Sequence, residues 1–178
     1  MNLPNKITLA RIVLIIPFVI LAIPGRPVTD ILAAVVFLVA SLTDFLDGHI
    51  ARKRGQVTNF GKLMDPLVDK ILVSAAMILL VSVGRLPAWV MIVILLREFT
   101  VDGLRALAAE KGQIIAASMW GKSKTVSQMT MAMLLLLKSC FTGDFYNVLC
   151  QVAIYAALAL TLYSGYDYMR KGWKYIKW

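Results

Sequence analysis

The chain has 178 residues, 60% of them hydrophobic and only 16% charged, with 19 Lys and Arg against 10 Asp and Glu. That apolar share exceeds what a soluble domain of this size carries, so the composition points to an integral membrane protein forming one domain over residues 1–178. The net charge of +9 does not mark a nucleic-acid binder, because the cations stand at the ends of apolar runs and not in a solvated stripe.

Turn signals and charge clusters divide the chain into six apolar segments, each expected to be a helix. The first runs from about Thr8 to Ile23 and ends at "PGRP"; it has no small-residue cleavage site and is followed by more of its kind, so it is not expected to be a signal peptide. The second starts near Thr29 and carries its helical pattern into Ala51 and Arg52. The third begins near Asn59 and ends at Gly84 and Arg85. The fourth opens at Pro87, a residue suited to a first turn, and continues past Arg97. The fifth follows "GKSKT", from about Lys124 to Cys140, and the last spans about Phe145 to Met169.

Several uncharged runs, such as 31–43 and 86–96, fall short of the ~20 residues that cross a bilayer. They reach that length only if the adjoining charged portions are helical and also in the membrane. Such portions cannot face lipid, so they must face one another and line a shared polar cavity. Six spans would place sixteen of the 19 Lys and Arg on one side and only Arg26, Arg85 and Lys138 on the other. By that asymmetry both termini and the cavity face the cytoplasm. The expected fold is therefore all-α, with six transmembrane helices around a polar cavity open to the cytoplasm. Cys140 and Cys150 lack metal-type spacing and are expected to be free and packed, although a disulfide between them is within reach.

Charge is most unusual in the stretch "DFLDGHIARKRGQVTNFGKLMDPLVDK", which holds four aspartates between apolar segments. Steps of three and four put Asp44, Asp47, Gly48 and Ala51 within a sector of roughly 100° on one helix. Gly61, Asp65 and Asp69 form a stripe on the next. A short loop would make the two helices antiparallel neighbours, so the stripes can meet. Unpaired, four facing carboxylates would repel, and each would take up a proton or find a cation. Arg52 and Lys70 neutralise them only in part. One or two divalent ions satisfy charge and geometry together, and all-oxygen ligation suits Mg²⁺ or Mn²⁺. His49 points away from the stripe and is expected to be an ordinary packed or interfacial residue. Gly48 and Ala51 admit close helix packing, yet beside four aspartates and an arginine they favour close approach of a phosphate-bearing ligand.

The pattern D-x2-D-G-x2-A-R-x8-G-x3-D-x3-D resembles the signature of the CDP-alcohol phosphotransferases at every fixed position. "NLPNKITLAR", "REFTVDGLR" and "GKSKT" resemble the bacterial branch that makes phosphatidylglycerol phosphate. The resemblance implies a homodimer of six-helix subunits, multi-pass in the cell membrane among membrane lipids, that moves a phosphatidyl group from CDP-diacylglycerol to glycerol 3-phosphate and releases CMP. It implies that Asp44, Asp47, Asp65 and Asp69 bind two metal ions, Mg²⁺ or Mn²⁺, and that Asp69 is the catalytic base for the acceptor hydroxyl. Gly48, Ala51, Arg52 and Gly61 would form the CDP-lipid site, with Asn5 and Thr8 as further nucleotide contacts.

Glycerol 3-phosphate needs fixed positive charge. Arg97 and Arg105, two turns apart on one helix, with Lys122 and Lys124 in the following loop, are the candidates for its phosphate. Arg97 follows eleven uncharged residues and so lies at membrane depth. Glu98 and Asp102 are placed to pair with these arginines. "GKS" at 121–123 is not a phosphate loop, because Ala116 stands where that motif needs glycine and no strand precedes it. Two alternatives remain at this stage: a sibling phosphatidyltransferase using serine, inositol phosphate or phosphatidylglycerol, and a divalent-cation transporter.

Overall fold

The computed structural model describes residues 3–53, 59–113, 115, 118–141 and 143–176, without the side chains of 3–6, 44–53, 59–63 and 174–176. Six α-helices follow one another: α1 Leu3–Ala22, α2 Pro27–Lys53, α3 Asn59–Ser82, α4 Ala88–Glu110, α5 Met119–Leu136 and α6 Asp144–Ile176, with a 3-10 turn at Leu137–Ser139 after α5. No strand occurs among the described residues.

Each apolar run continues as helix into its charged neighbour, as the length argument requires. The 27 residues of α2 extend about 40 Å at 1.5 Å per residue, and its last turns carry positions 44 to 53. α4 likewise continues through Arg97 to Glu110. At the ends of α3 and α4 the chain turns on glycines with left-handed backbone, Gly84 (φ 71°) and Gly112 (φ 69°). In both turns the glycine N–H and the next N–H bond back to carbonyls of the last helical turn, as in Gly112 to Ala109 at 2.9 Å and Gln113 to Ala108 at 2.9 Å.

Two helices start earlier than their sequence patterns indicate. α1 begins at Leu3, and α5 begins at Met119, so Lys122 and Lys124 lie in the first turns of a helix and not in a loop. The cause in α5 is a cap: Ser118 is extended, and its hydroxyl accepts a hydrogen bond from the Gly121 N–H at 3.1 Å.

α1 packs on α2 and α3, while α6 packs on α4 and α5; α5 then touches both α2 and α3, closing the two groups around one core. Phe18 and Phe37 meet there with ring centroids 5.7 Å apart, above a layer that includes Leu72, Met77, Leu80, Ile94, Met131, Leu135 and Ile154. The outside is apolar as well. Val13, Ile16 and Ile20 on α1, Ile92, Leu96 and Phe99 on α4, and Val148, Val152 and Tyr155 on α6 are all exposed. Apolar exposure on this scale suits a membrane protein, since a soluble monomer exposes far smaller patches. Among the described residues one helix, Asp144–Trp173, is long and apolar enough to cross a membrane by itself, and Ile7–Ala22 and Pro27–Thr43 are shorter apolar stretches.

A polar staple holds one end of the bundle. Arg85, in the turn after α3, donates to buried Asp30 of α2 at 2.6 Å and to the Gly25 carbonyl at 3.1 Å. Its other terminal nitrogen donates to the carbonyls of Leu135 and Leu136. Ser139 also donates to Asp30, at 2.6 Å. Cys140 and Cys150 are both free.

Candidate active site

At the opposite end, α1 and α3 are joined by two matched polar rungs. Thr8 and Arg11, three residues apart on α1, are fully buried and face Asp65 and Asp69, four apart on α3. Thr8 donates to Asp65 at 2.7 Å, and Arg11 lies 3.5 Å from Asp69. Thr8 is thus an orienting partner of a carboxylate, a role its place in the expected nucleotide contacts did not include. Arg11 registers in the sequence only as one of the cytoplasmic cations. Its pairing with Asp69 spans 58 positions and has no local signal.

Asp69 opens onto a cavity of about 480 Å³ between α2, α3, α4, α5 and α6. Lys70, Arg97, Arg105, Lys122 and Lys124 line the same space, together with Glu98, Asp102 and Tyr168. A smaller recess of about 150 Å³ shares Asp69, Lys70, Glu98 and Lys124 and continues inward to Ser74 and Gln128. The structure therefore brings together the expected base and all four expected phosphate-binding cations.

Glu98 is the hub of the charge network. It accepts from Arg97 at 3.2 Å and from Lys124, and Lys70 lies 3.9 Å from its second oxygen. Asp102 does not pair with either arginine; it accepts from Lys70 of α3. Asp102 lies about 140° around α4 from Arg97 at 100° per residue, and Arg105 is drawn elsewhere. Lys70 is thus a partner of α4; its relation to Asp44 and Asp47 lies outside the described residues. Lys124 and Arg97 are buried, so their charges are held in place by Glu98, whereas Lys122 and Arg105 are exposed.

The two arginines converge on one aromatic ring. Arg97 and Arg105 stand 5.4 and 5.8 Å from the centroid of Tyr168 on α6. Arg97 also donates to Ser164, and Arg105 to the Ile115 carbonyl at 3.2 Å. The Tyr168 hydroxyl accepts from the Ser118 N–H at 3.0 Å, which ties the start of α5 to α6. Small residues permit this approach. A Cβ on Gly165 would stand 3.0 Å from the Arg97 stem, and one on Gly121 would stand 3.2 Å from the Tyr168 hydroxyl.

Asp44, Asp47, Gly48, Ala51 and Arg52 belong to α2 and Gly61 to α3, but their side chains, like those of Asn5 and His49, lie outside the described residues. The meeting of the two stripes lies outside them too. Among the described residues no group of three or more His, Cys, Asp or Glu is arranged for a metal. Asp65 and Asp69 are hard carboxylate donors on one face of α3, a donor type that fits Mg²⁺ or Mn²⁺.

The family model for CDP-alcohol phosphatidyltransferases matches residues 1–163 of the chain. Relatives named CDP-diacylglycerol–glycerol-3-phosphate 3-phosphatidyltransferase align over nearly the whole length. The Bacillus subtilis protein is 45% identical, covering 99% of this chain and 97% of its own. The Rickettsia felis protein is 39% identical over 98% and 97%, and the Haemophilus influenzae protein 34% identical over 95% and 92%.

Proposed function

Because the chain belongs to the CDP-alcohol phosphatidyltransferase family, we propose that it transfers the phosphatidyl group of CDP-diacylglycerol to glycerol 3-phosphate, forming phosphatidylglycerol phosphate and CMP. The observation that carries the reading is the cavity that combines Asp69 with Arg97, Arg105, Lys122 and Lys124. A carboxylate beside clustered cations matches an acceptor that brings both a hydroxyl and a phosphate.

In this reading the acceptor hydroxyl oxygen attacks the lipid-side phosphorus of the diphosphate, its proton passes to Asp69, and the bond to the CMP oxygen breaks. Arg105 and Lys122, the exposed cations, take the incoming phosphate first. Arg97 and Lys124, held by Glu98, set the positive potential deeper in the cavity. Arg11 and Thr8 orient Asp69 and Asp65 respectively. Asp44, Asp47, Asp65 and Asp69 hold Mg²⁺ or Mn²⁺, two ions in all. Such ions, when bound, offset charge on the diphosphate and on departing CMP. Gly48, Ala51, Arg52, Gly61 and Asn5 complete the CDP-lipid site.

The reading includes six membrane spans with both termini and the cavity on the cytoplasmic side of the cell membrane, supported by the cation asymmetry and the apolar exterior. It includes a single domain over residues 1–178, supported by the one core that all six helices surround, and a homodimer, as the family resemblance implies. The test is CMP release from CDP-diacylglycerol with Mg²⁺, with Mn²⁺ and with a chelator, across glycerol 3-phosphate, serine, inositol phosphate and phosphatidylglycerol. Metal-dependent release with glycerol 3-phosphate is expected. Release with serine alone would overturn the acceptor, and undiminished release in the chelator would overturn the metal role.

A further inference from the structure

The smaller recess of about 150 Å³ runs inward from Asp69 between α3, α4 and α5. Asp69, Lys70, Glu98, Lys124 and Thr125 line both it and the larger cavity, so the two spaces are continuous. Val73, Met77 and Ile94 of the core give it apolar walls. Against those walls stand three neutral polar side chains, those of Ser74, Thr125 and Gln128. Neither the base nor the phosphate-binding cations give these three a task.

Their hydrogen bonds separate the three. Thr125 donates to the Gly121 carbonyl of its own helix at 3.2 Å, as Ser41 and Thr100 do within theirs. Ser74 differs: its hydroxyl, half-buried in an apolar part of α3, makes no such bond and has no partner among the described residues. Gln128 is buried, and its amide nitrogen donates to Thr161 of α6 at 2.9 Å. Thr161 in turn donates to the Ala157 carbonyl at 2.6 Å, which fixes the amide. The carbonyl oxygen of Gln128 then has no donor among the described residues. A buried amide oxygen needs one, so the recess suits an occupant that brings a hydroxyl.

Glycerol 3-phosphate carries a primary and a secondary hydroxyl, and one must be held while the other attacks. We propose that the recess binds the secondary hydroxyl, which donates to the Gln128 carbonyl oxygen and accepts from Ser74, and so presents the primary hydroxyl to Asp69. The inference rests on the phosphatidyltransferase reading and adds the residues that set its acceptor specificity. Ser74 lies five residues beyond Asp69, about 7.5 Å further along α3. Two O–H···O bonds of about 2.7 Å, with the vicinal diol between them, bridge that distance. The phosphate on the third carbon stays among the cations of the larger cavity.

The test measures CMP release from CDP-diacylglycerol with sn-glycerol 3-phosphate and with 3-hydroxypropyl phosphate, which lacks only the secondary hydroxyl. The unaltered protein, Gln128→Met and Ser74→Ala are compared. By kcat/KM the unaltered protein is expected to favour glycerol 3-phosphate by about tenfold or more, since a site built to bind a hydroxyl rejects the analogue without it. In Gln128→Met the preference should shrink to within about threefold, through a fall on glycerol 3-phosphate alone, and in Ser74→Ala it should fall several-fold. A side chain that only supports the fold lowers both acceptors alike and leaves the preference unchanged; that result in either variant overturns the proposal. Equal use of the two acceptors by the unaltered protein also overturns it, assigning the recess to water while the phosphatidyltransferase reading stands. If CMP is released with neither acceptor, the parent reading fails and the proposal falls with it. Where Gln128→Met does not fold, Ser74→Ala reads the preference, because alanine suits a helix interior and the change removes one oxygen.

Discussion

Arg85→Met removes the staple at the end of the bundle away from the cavity. The guanidinium makes four hydrogen bonds: one to Asp30, one to Gly25, and one each to Leu135 and Leu136. Asp30 is 1% exposed and Arg85 13%, so the substitution leaves a buried carboxylate with Ser139 as its remaining donor among the contacts described above. Breaking a buried pair from one side costs about 3–5 kcal/mol. The three carbonyls lie at turns and helix ends where water can replace the arginine, which puts the expected loss near the lower figure. For a chain of this length that lowers the unfolding midpoint by roughly 6–12 °C. The assay is thermal unfolding in detergent, followed by tryptophan fluorescence. Adding Asp30→Asn to Arg85→Met should recover part of the loss, because the orphaned charge is then gone. Activity per folded molecule should not change, since Asp30 lies about 21 Å along α2 from position 44. A midpoint within 2 °C of the starting protein, or a further loss of similar size on adding Asp30→Asn, would refute the account of the staple.

Asp69→Asn preserves size but cannot accept the acceptor proton; kcat should drop by roughly 10²–10⁴ while CDP-lipid binding stays measurable by calorimetry. Turnover within tenfold of the unaltered protein would remove Asp69 as the base. Arg97→Ala should raise KM for glycerol 3-phosphate by about tenfold, the scale of one charge-assisted hydrogen bond, and leave KM for the CDP-lipid nearly constant. Equal effects on both would take Arg97 out of the acceptor pocket. Tyr168→Phe keeps the ring under Arg97 and Arg105 and should hold the glycerol 3-phosphate KM close to normal. Tyr168→Leu loses two cation–π contacts of about 0.5–2 kcal/mol each and should raise it several-fold; identical values for the two variants would show that the ring does not hold the arginines.

Much of the molecule was legible along the chain because the relevant signals are local. Apolar runs and turn residues located six helices, and the short uncharged runs required that charged segments continue them, which α2 and α4 do. The error at α5 was also local: "GKSKT" reads as a polar loop until Ser118 is recognised as the cap that starts the helix before it. The aspartate motif was equally legible, since its spacing is a property of positions 44 to 69 alone.

Partnerships across helices were not legible, because nothing in helical period says which face meets which. Thr8 and Arg11 are near-neighbours in sequence, and only the packing of α1 against α3 aims them at Asp65 and Asp69. Glu98 could pair with the adjacent Arg97 by sequence, yet the approach of α5 adds Lys124, and the approach of α3 gives Asp102 to Lys70 instead of an arginine. By itself the sequence determined the helices, the motif and the apolar exterior, all of which follow from spacing and composition. Which carboxylates hold which cations, and that Asp69 shares one cavity with them, was decided by tertiary packing, because buried charges take their partners from whichever helix comes within hydrogen-bond reach.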